Sequence, residues 1–382
     1  MSAEKLLLIP GPSPVHPRIL QALAQPTVSH VSAVLAEELS ASLANLKSIV
    51  FCGQGEPFII AGAGTLSMEM ALVNTIGRGE KALILSQGYF GERMAQICES
   101  FGLGCDVLSS PWGQAVPVED LEKSLAGGHY DAVIATHVDT ATGACAPVQD
   151  YARVLRGRGL LFILDGVCAT GGIEERMDDW GIDVVLTAAQ KCFGAPPGLA
   201  IVVFSARAMD KRRSLGCVPA YYADILRWLP IMKEPTRYFS TPCVNELRAF
   251  YEATRIILEE GLEARFRRHK RTAEAIRAGL VRLGFSFFTD PCYFAETLSV
   301  VRYPDGVEDK AFRARYFENG VVVAGGLAET AGRVFRMGHM GNLTSAQVVS
   351  AMEALEKTLR SLGYRFDPGS GVQSTRDVLG EA

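Results

Sequence analysis

The sequence predicts an α/β protein: a large domain built on a mostly parallel sheet covered by helices, followed by a smaller C-terminal α+β domain. Three observations carry this expectation. Continuous apolar runs of strand length recur through the first two thirds of the chain, each followed by a helical pattern. A long helical stretch from about Val244 to Leu283, broken at Gly261, then leaves that alternation. Beyond it, shorter strand and helix patterns form a second compact stretch.

In chain order, Lys81–Ser86 reads as a strand. In the helix after it, Met94, Ile97, Cys98 and Phe101 fall on one face, and Gly102 closes it. Asp131–Thr136 is a second strand with a helix at Gln149–Leu155, Leu160–Leu164 a third, and Leu199–Phe204 another. Past the long helices come strands at Leu298–Tyr303, Val321–Ala324 and Val334–Met337, with helices at Lys310–Glu318 and Ala346–Leu362. The length of 382 residues suits two domains. The expected division is an N-terminal segment 1–19, a large domain 20–260, a small domain 261–366 and a polar, mobile tail 367–382.

Composition narrows the class. Hydrophobic residues make up 48% and charged residues 21%, the balance of a soluble globular protein with a sizeable core. The net charge is −4, and the longest basic run, Arg265 to Arg271, lies in a helical pattern and reads as a solvated face; nucleic acid is not an expected partner. No stretch approaches the roughly 18 uninterrupted apolar residues of a membrane span. Nine cysteines without a Cys-x-x-Cys pair, and no signal peptide, point to reduced thiols in a cytoplasmic protein.

Three short segments could carry chemistry. Asp165 directly follows the buried strand Leu160–Leu164, at the sheet edge where function gathers; alone it reads equally well as a helix cap. Lys191 lies among small and apolar residues before the Gly/Pro-rich stop Gly194-Ala195-Pro196-Pro197-Gly198, a setting suited to imine formation and equally open to an ordinary loop lysine. Gly62-Ala63-Gly64-Thr65 runs into a helix whose free N–H groups could cradle a phosphate. It is not a dinucleotide fingerprint, because Ser67 stands where the third glycine belongs. Together the three supply what a pyridoxal cofactor needs: a lysine for its aldehyde, a carboxylate for its ring nitrogen and a phosphate cradle.

At Gln190-Lys191 with Ala195-Pro196-Pro197-Gly198, at Asp165-Gly166-Val167 and at His137-Val138-Asp139-Thr140-Ala141-Thr142-Gly143, the sequence resembles the class V aminotransferases of the fold-type I pyridoxal-phosphate enzymes. The nearest likeness is to alanine–glyoxylate and serine–pyruvate aminotransferases, and it extends from Pro10-Gly11-Pro12-Ser13-Pro14 to the C-terminal helix. The resemblance implies a seven-stranded sheet and pyridoxal 5'-phosphate as cofactor. It makes Lys191 the lysine that holds the cofactor and Asp165 the partner of the ring nitrogen. Val167 and Phe90 would flank the ring, Thr140 would bond near its hydroxyl, and Ala63, Gly64, Thr65 and Gln190 would line the phosphate end. Tyr238 and Thr241 would complete the phosphate site of a neighbouring subunit in a homodimer. Arg336 would fork onto the substrate carboxylate, with Arg333 as its surface-exposed neighbour.

The implied reaction moves an amino group from a small amino acid, alanine or serine, to a small 2-oxo acid, glyoxylate or pyruvate. Two positions depart from the family pattern: Thr65 stands where many relatives have His, and Asp139 where they have Glu. Pyridoxamine–pyruvate and ureidoglycine–glyoxylate aminotransferases are alternatives, although Leu327 stands near the place of an additional Arg in the first group. A cysteine desulfurase-like lyase would need a mobile cysteine; Cys192 is the tempting thiol, but it reads as a packed residue. A non-catalytic binding protein with this fold is disfavoured by Lys191 and Asp165 occurring together.

Overall fold

The computed structural model describes residues 5–380. A short strand β1 (Leu6–Leu7) precedes the seven strands of the main sheet. These are β2 (Glu56–Ala61), β3 (Lys81–Ser86), β4 (Gly104–Ser109), β5 (Ala132–Thr136), β6 (Leu161–Asp165), β7 (Val184–Ala188) and β8 (Leu199–Phe204). Their order is β2-β8-β7-β6-β5-β3-β4. β3 to β7 are parallel, and β8 runs against both of its neighbours, β7 and β2.

This one reversed strand places the site. With β8 antiparallel to β2 and β7, those two strands end at the edge where β8 begins, and Ala61 and Ala188 lie beside Leu199 and Ala200. The turns after β2 and β7 therefore meet at the edge where β5 and β6 also end. Apart from the edge strand β4, both faces of the sheet are buried, which explains the unbroken apolar runs. Ile84 and Ile163 pack into one core, with the helices Ala33–Ile49, Gly64–Val73 and Val244–Glu260. Leu83, Leu85, Phe162 and Leu164 pack into another, with the helix Val148–Leu155.

The C-terminal third contains β9 (Ser286–Phe287), β10 (Leu298–Arg302), β11 (Val321–Val322), β12 (Ala324–Gly325) and β13 (Val334–Gly338). Four of these form an antiparallel sheet, β12-β13-β10-β9. The expected single strand Val321–Ala324 is split. β11 pairs in parallel with β1, Leu6 opposite Val321, while β12 turns to pair with β13. Phe285, Phe312 and Phe335 form the aromatic centre of this core, to which Leu8 also belongs.

Two expectations are corrected. Within the tail expected to be mobile, Ser370–Leu379 is a helix. Its apolar stripe of Val372, Val378 and Leu379 joins the small core. The buried carboxylate of Glu356 accepts the backbone N–H groups of Gly369, Gly371 and Val372 at 2.7, 3.0 and 3.1 Å, a cap supplied from another helix. Polar composition concealed this because the stripe is narrow and the cap lies far away in sequence. The basic run is solvated on one side only: Arg267 and Lys270 are exposed, whereas Arg265 and His269, one turn apart, are fully buried. Among the described residues no helix is long and apolar enough to cross a membrane.

Candidate active site

Lys191 occupies the turn between β7 and β8. Ser13 fixes that turn from the N-terminal segment: its N–H donates to the Gln190 carbonyl at 3.0 Å and its hydroxyl to the Lys191 carbonyl at 2.7 Å. The Lys191 ammonium donates to the Pro10 carbonyl. Gly11 lies against the lysine stem; a Cβ there would sit 2.4 Å from Lys191 Cδ and 2.8 Å from Nζ. Pro10, Gly11 and Ser13 thus form a wall of the site, a role sequence reading missed. Its one signal was the Pro10–Pro14 string.

Asp165 ends β6, opposite Thr136 on β5 and Leu186 on β7. Its carboxylate is buried and accepts the Val167 N–H at 3.0 Å. Burial pushes its pKa up to about 7. The Val167 N–H opposes that rise, the negative charges of Asp139 and Glu175 add to it, and the positive charge of Lys191 reduces it. Behind Asp165, His137 Nδ1 lies 2.7 Å from Glu175 Oε1, and the Thr170 hydroxyl donates to Glu175 Oε2 at 2.6 Å. Burial disfavours the charged imidazole, but hydrogen bonds it makes to the Cys145 and Glu175 side chains outweigh that and hold His137 at about 10. The His137 backbone N–H donates to the Asp165 carbonyl at 2.9 Å, so the residue that carries this ion pair is tied to the strand end.

The helix Gly64–Val73 starts three residues after β2, and its N-cap, Ala63, offers no side chain to its first N–H groups. A Cβ on Gly64 would lie 3.2 Å from the Ala188 Cβ and 3.6 Å from Val167 Cγ2, so the helix start abuts Val167 and the end of β7. The nearby Gln190 Oε1 is buried without a hydrogen-bond partner. Ser67, the residue that broke the dinucleotide pattern, is a stitch. Its hydroxyl donates to the Thr187 carbonyl at 2.7 Å and accepts the Ile201 N–H at 3.0 Å.

Asp139 is fully buried and organises the opposite side. It accepts N–H groups from Phe90 at 2.8 Å, Ala141 at 2.8 Å and Thr142 at 3.1 Å. Burial raises its pKa, and these donors oppose the rise. The Thr140 hydroxyl contacts the Cys168 thiol at 2.7 Å, and the Thr140 carbonyl accepts from Arg336 Nη1 at 3.3 Å. Arg336, in β13, also donates through Nε to the Gly325 carbonyl at 2.8 Å. Its remaining nitrogen has no hydrogen-bond partner, and its guanidinium no carboxylate partner, among the described residues. Burial lowers its pKa, with Cys168 and Asp139 acting against that. Arg333 is on the surface as expected, bonded to the Glu329 carbonyl.

Gly64 thus abuts Val167, whose N–H bonds Asp165 within reach of the Lys191 charge. Asp139 ties the Phe90 loop to the Thr140 turn, and the Thr140 carbonyl holds Arg336. Ala63 and Gln190 adjoin Gly64 and Lys191 in the chain. Thr65 follows at the same helix start. Tyr238 and Thr241 stand apart. Tyr238 is 63% exposed, packs on His30 at 5.3 Å, and its hydroxyl lies 3.5 Å from that of Thr241. Cys192 is buried with its thiol against the Cys168 carbonyl, 3.7 Å away, and burial raises its pKa. It is not the mobile, exposed thiol that a desulfurase needs.

A lysine and a buried carboxylate at neighbouring strand ends, an uncapped helix start and an unpaired guanidinium define an enzyme site on a doubly covered α/β sheet. Comparison with known proteins gives the family. Residues 24–326 match the family model described as aminotransferase class-V. The chain is 35% identical over 382 residues to an uncharacterized aminotransferase of Methanocaldococcus jannaschii, covering 99% of this chain and 98% of that one. It is 33% identical over 385 residues to the L-aspartate–glyoxylate aminotransferase of Paracoccus denitrificans, covering 99% and 96%. The crystal structure of an alanine–glyoxylate aminotransferase from Nostoc matches with a TM-score of 0.90 at 31% identity, covering 94% and 96%. The chain belongs to the class-V aminotransferase family and is an enzyme of that kind.

Proposed function

We propose that this aminotransferase uses pyridoxal 5'-phosphate to move an amino group from a small amino acid, alanine or serine, to glyoxylate or pyruvate. The observation that carries the reading is the grouping of Lys191, Asp165 and Arg336 around one sheet edge. The Paracoccus and Nostoc relatives are both named as glyoxylate aminotransferases, which supports glyoxylate as acceptor.

The residues present fit the cofactor. The uncapped start of the helix at Ala63, Gly64 and Thr65 suits a phosphate, and the buried Gln190 Oε1 has no other partner among the described residues. Val167 and Phe90 provide apolar surfaces for a ring, and Thr140 a hydroxyl that lies against the Cys168 thiol. Asp165 has one lone-pair direction committed to Val167 and the rest free for a protonated ring nitrogen. When bound, pyridoxal phosphate supplies an aldehyde for the amino group and a ring that accepts an electron pair.

The chain's own groups do the rest. Arg336 binds the substrate carboxylate through its free guanidinium edge and sets the amino acid's orientation. Lys191 would hold the cofactor, and its Nζ, when free, would take the proton from the substrate α-carbon and later return one. Asp165, kept from water, would keep the cofactor's ring nitrogen protonated. Tyr238 and Thr241 complete the phosphate site of a second copy of the chain, so the active unit is a homodimer; the exposure of Tyr238 supports this. The division into a large domain to residue 260 and a small one beyond it is proposed on the break at Gly261. The free thiols favour a cytoplasmic location.

The test is direct. Protein loaded with pyridoxal phosphate shows a visible absorbance band, and borohydride leaves a pyridoxyl mass on Lys191. Half reactions with alanine, serine and aspartate, each paired with glyoxylate or pyruvate, then identify donor and acceptor. A protein that takes up no pyridoxal phosphate would overturn the reading.

A further inference from the structure

Arg265 is fully buried at the start of the helix Leu262–Arg282, and its bonds reach three separate parts of the molecule. Nε donates to the Gly171 carbonyl at 2.7 Å, at the end of the turn that starts with Asp165. Nη2 donates to the Cys192 carbonyl at 2.5 Å, in the residue after Lys191. Nη1 donates to Glu260 Oε2 at 2.8 Å and Asn342 Oδ1 at 3.3 Å. Asn342 lies four residues past β13, the strand that carries Arg336. The next turn of the helix grips the same segment: Arg268 donates to the Gly341 carbonyl at 3.0 Å, and His269 Nε2 accepts the Gly341 N–H at 3.1 Å.

We propose that Arg265 is a positioning residue that keeps the Lys191 turn and the Asp165 turn in register. It touches neither substrate nor cofactor. The inference rests on the reading of Lys191 as the cofactor lysine. A planar fork with fixed donors can hold two carbonyls from different loops at a set separation, which an ammonium on a flexible stem cannot. Lys191 is then pinned from both sides, its own carbonyl by Ser13 and the following one by Arg265. Glu260 keeps Arg268 as a partner, at 2.6 and 3.0 Å, so replacing Arg265 does not strand that carboxylate. Arg336 has its own anchors, the Gly325 and Thr140 carbonyls.

The consequence is a separation of effects. Loosening the two turns misplaces the proton-moving amine and costs turnover, on the order of 10- to 100-fold for a displacement near 1 Å. Substrate carboxylate binding through Arg336 changes little. The variants are Arg265→Lys, which keeps the charge and loses the fork, and Arg265→Gln. Hydrogen–deuterium exchange, with and without pyridoxal phosphate, is followed in peptides spanning 165–172 and 189–195, with the helix Ser345–Ser361 as control. The pH midpoint of the visible band is titrated without substrate, and kcat and KM are measured on the loaded protein.

The expected result is faster exchange in both loop peptides but not in the control, a shifted midpoint, kcat reduced as stated, and KM within about twofold. The proposal is overturned if exchange rises uniformly with a lowered melting temperature, or if midpoint and kcat match the parent protein. Should Arg265→Gln fail to fold, Arg265→Lys decides alone. A parent protein with no visible band would instead sink the cofactor reading, and exchange in the cofactor-free protein would still decide the role of Arg265.

Discussion

Asp139 accepts the backbone N–H of Phe90 at 2.8 Å across a separation of 49 residues, tying the aromatic loop to the turn that carries Thr140. The acid here is a short one, and the structure seats it by close approach. A Cβ on Gly88 would lie 2.8 Å from the Asp139 carboxylate carbon. Asp139→Glu is therefore expected to push the Phe90 loop outward and weaken cofactor affinity, read by equilibrium dialysis. Asp139→Ala strands three N–H groups and is expected to cost roughly 3 kcal/mol or more of stability in denaturant unfolding.

Stability of the cofactor-free protein is expected to fall with rising pH in two windows. The Asp165 carboxyl stands at about 7 when folded, against roughly 3.9 in the unfolded chain. The folded chain then holds a proton that the unfolded chain has released. The contribution is complete below about pH 4 and is lost as pH rises through about 7. His137, at about 10 when folded against roughly 6.5 unfolded, behaves alike between those values. Urea unfolding from pH 4.5 to 10 checks both: Asp165→Asn should flatten the lower window and leave the upper one.

Arg336→Gln removes the free guanidinium edge and leaves the Gly325 and Thr140 carbonyls with weaker donors. Loss of a charge-assisted, two-point contact predicts kcat/KM lower by roughly 100-fold for amino acids. Amines without a carboxylate should lose far less, so the ratio between the two substrate types measures the effect.

If Tyr238 and Thr241 act across a subunit boundary, two inactive variants should repair each other. Mixing unfolded Lys191→Ala and Tyr238→Ala chains and refolding them gives dimers in which one site has both an intact lysine and an intact tyrosine. Random pairing predicts about a quarter of parental activity. No gain over either variant alone would place Tyr238 at its own subunit's site or outside catalysis.

Ending the chain after Phe366 should lower the melting temperature markedly. It exposes the Gly279 and Met352 surface that Thr375 and its neighbours cover, and it leaves the buried Glu356 carboxylate without its N–H donors. Glu356→Gln, keeping the helix, should cost less.

Four strands of the sheet were legible because they are buried and read as unbroken apolar runs, as at Leu199–Phe204, whereas β2, β4 and β7 were not singled out; β4, at the sheet edge, is partly exposed. Lys191 and Asp165 were legible because one precedes and the other follows such a run. What lay hidden depends on distant contacts. Ser13 acquires its role from residues 177 and 178 positions away. Arg265 looked like one of several surface charges until packing selected its helix face. The helix Ser370–Leu379 needed a carboxylate from another helix to cap it.

The pairing of Leu6 with Val321 sets a timetable for biosynthesis. The wall formed by Pro10–Ser13 is held in place from one end by β11 and by the Gly338 N–H, which donates to the Leu8 carbonyl at 2.8 Å. A ribosome adding roughly 5–20 residues per second delivers those anchors well after Lys191 has emerged. The lysine pocket of a nascent chain therefore stays open on one side until β11, 130 residues beyond Lys191, and Gly338, 147 beyond it, have been made. If Lys191 holds the proposed cofactor, its capture is a late event in the life of the polypeptide, after the first residues have found the last third of the chain.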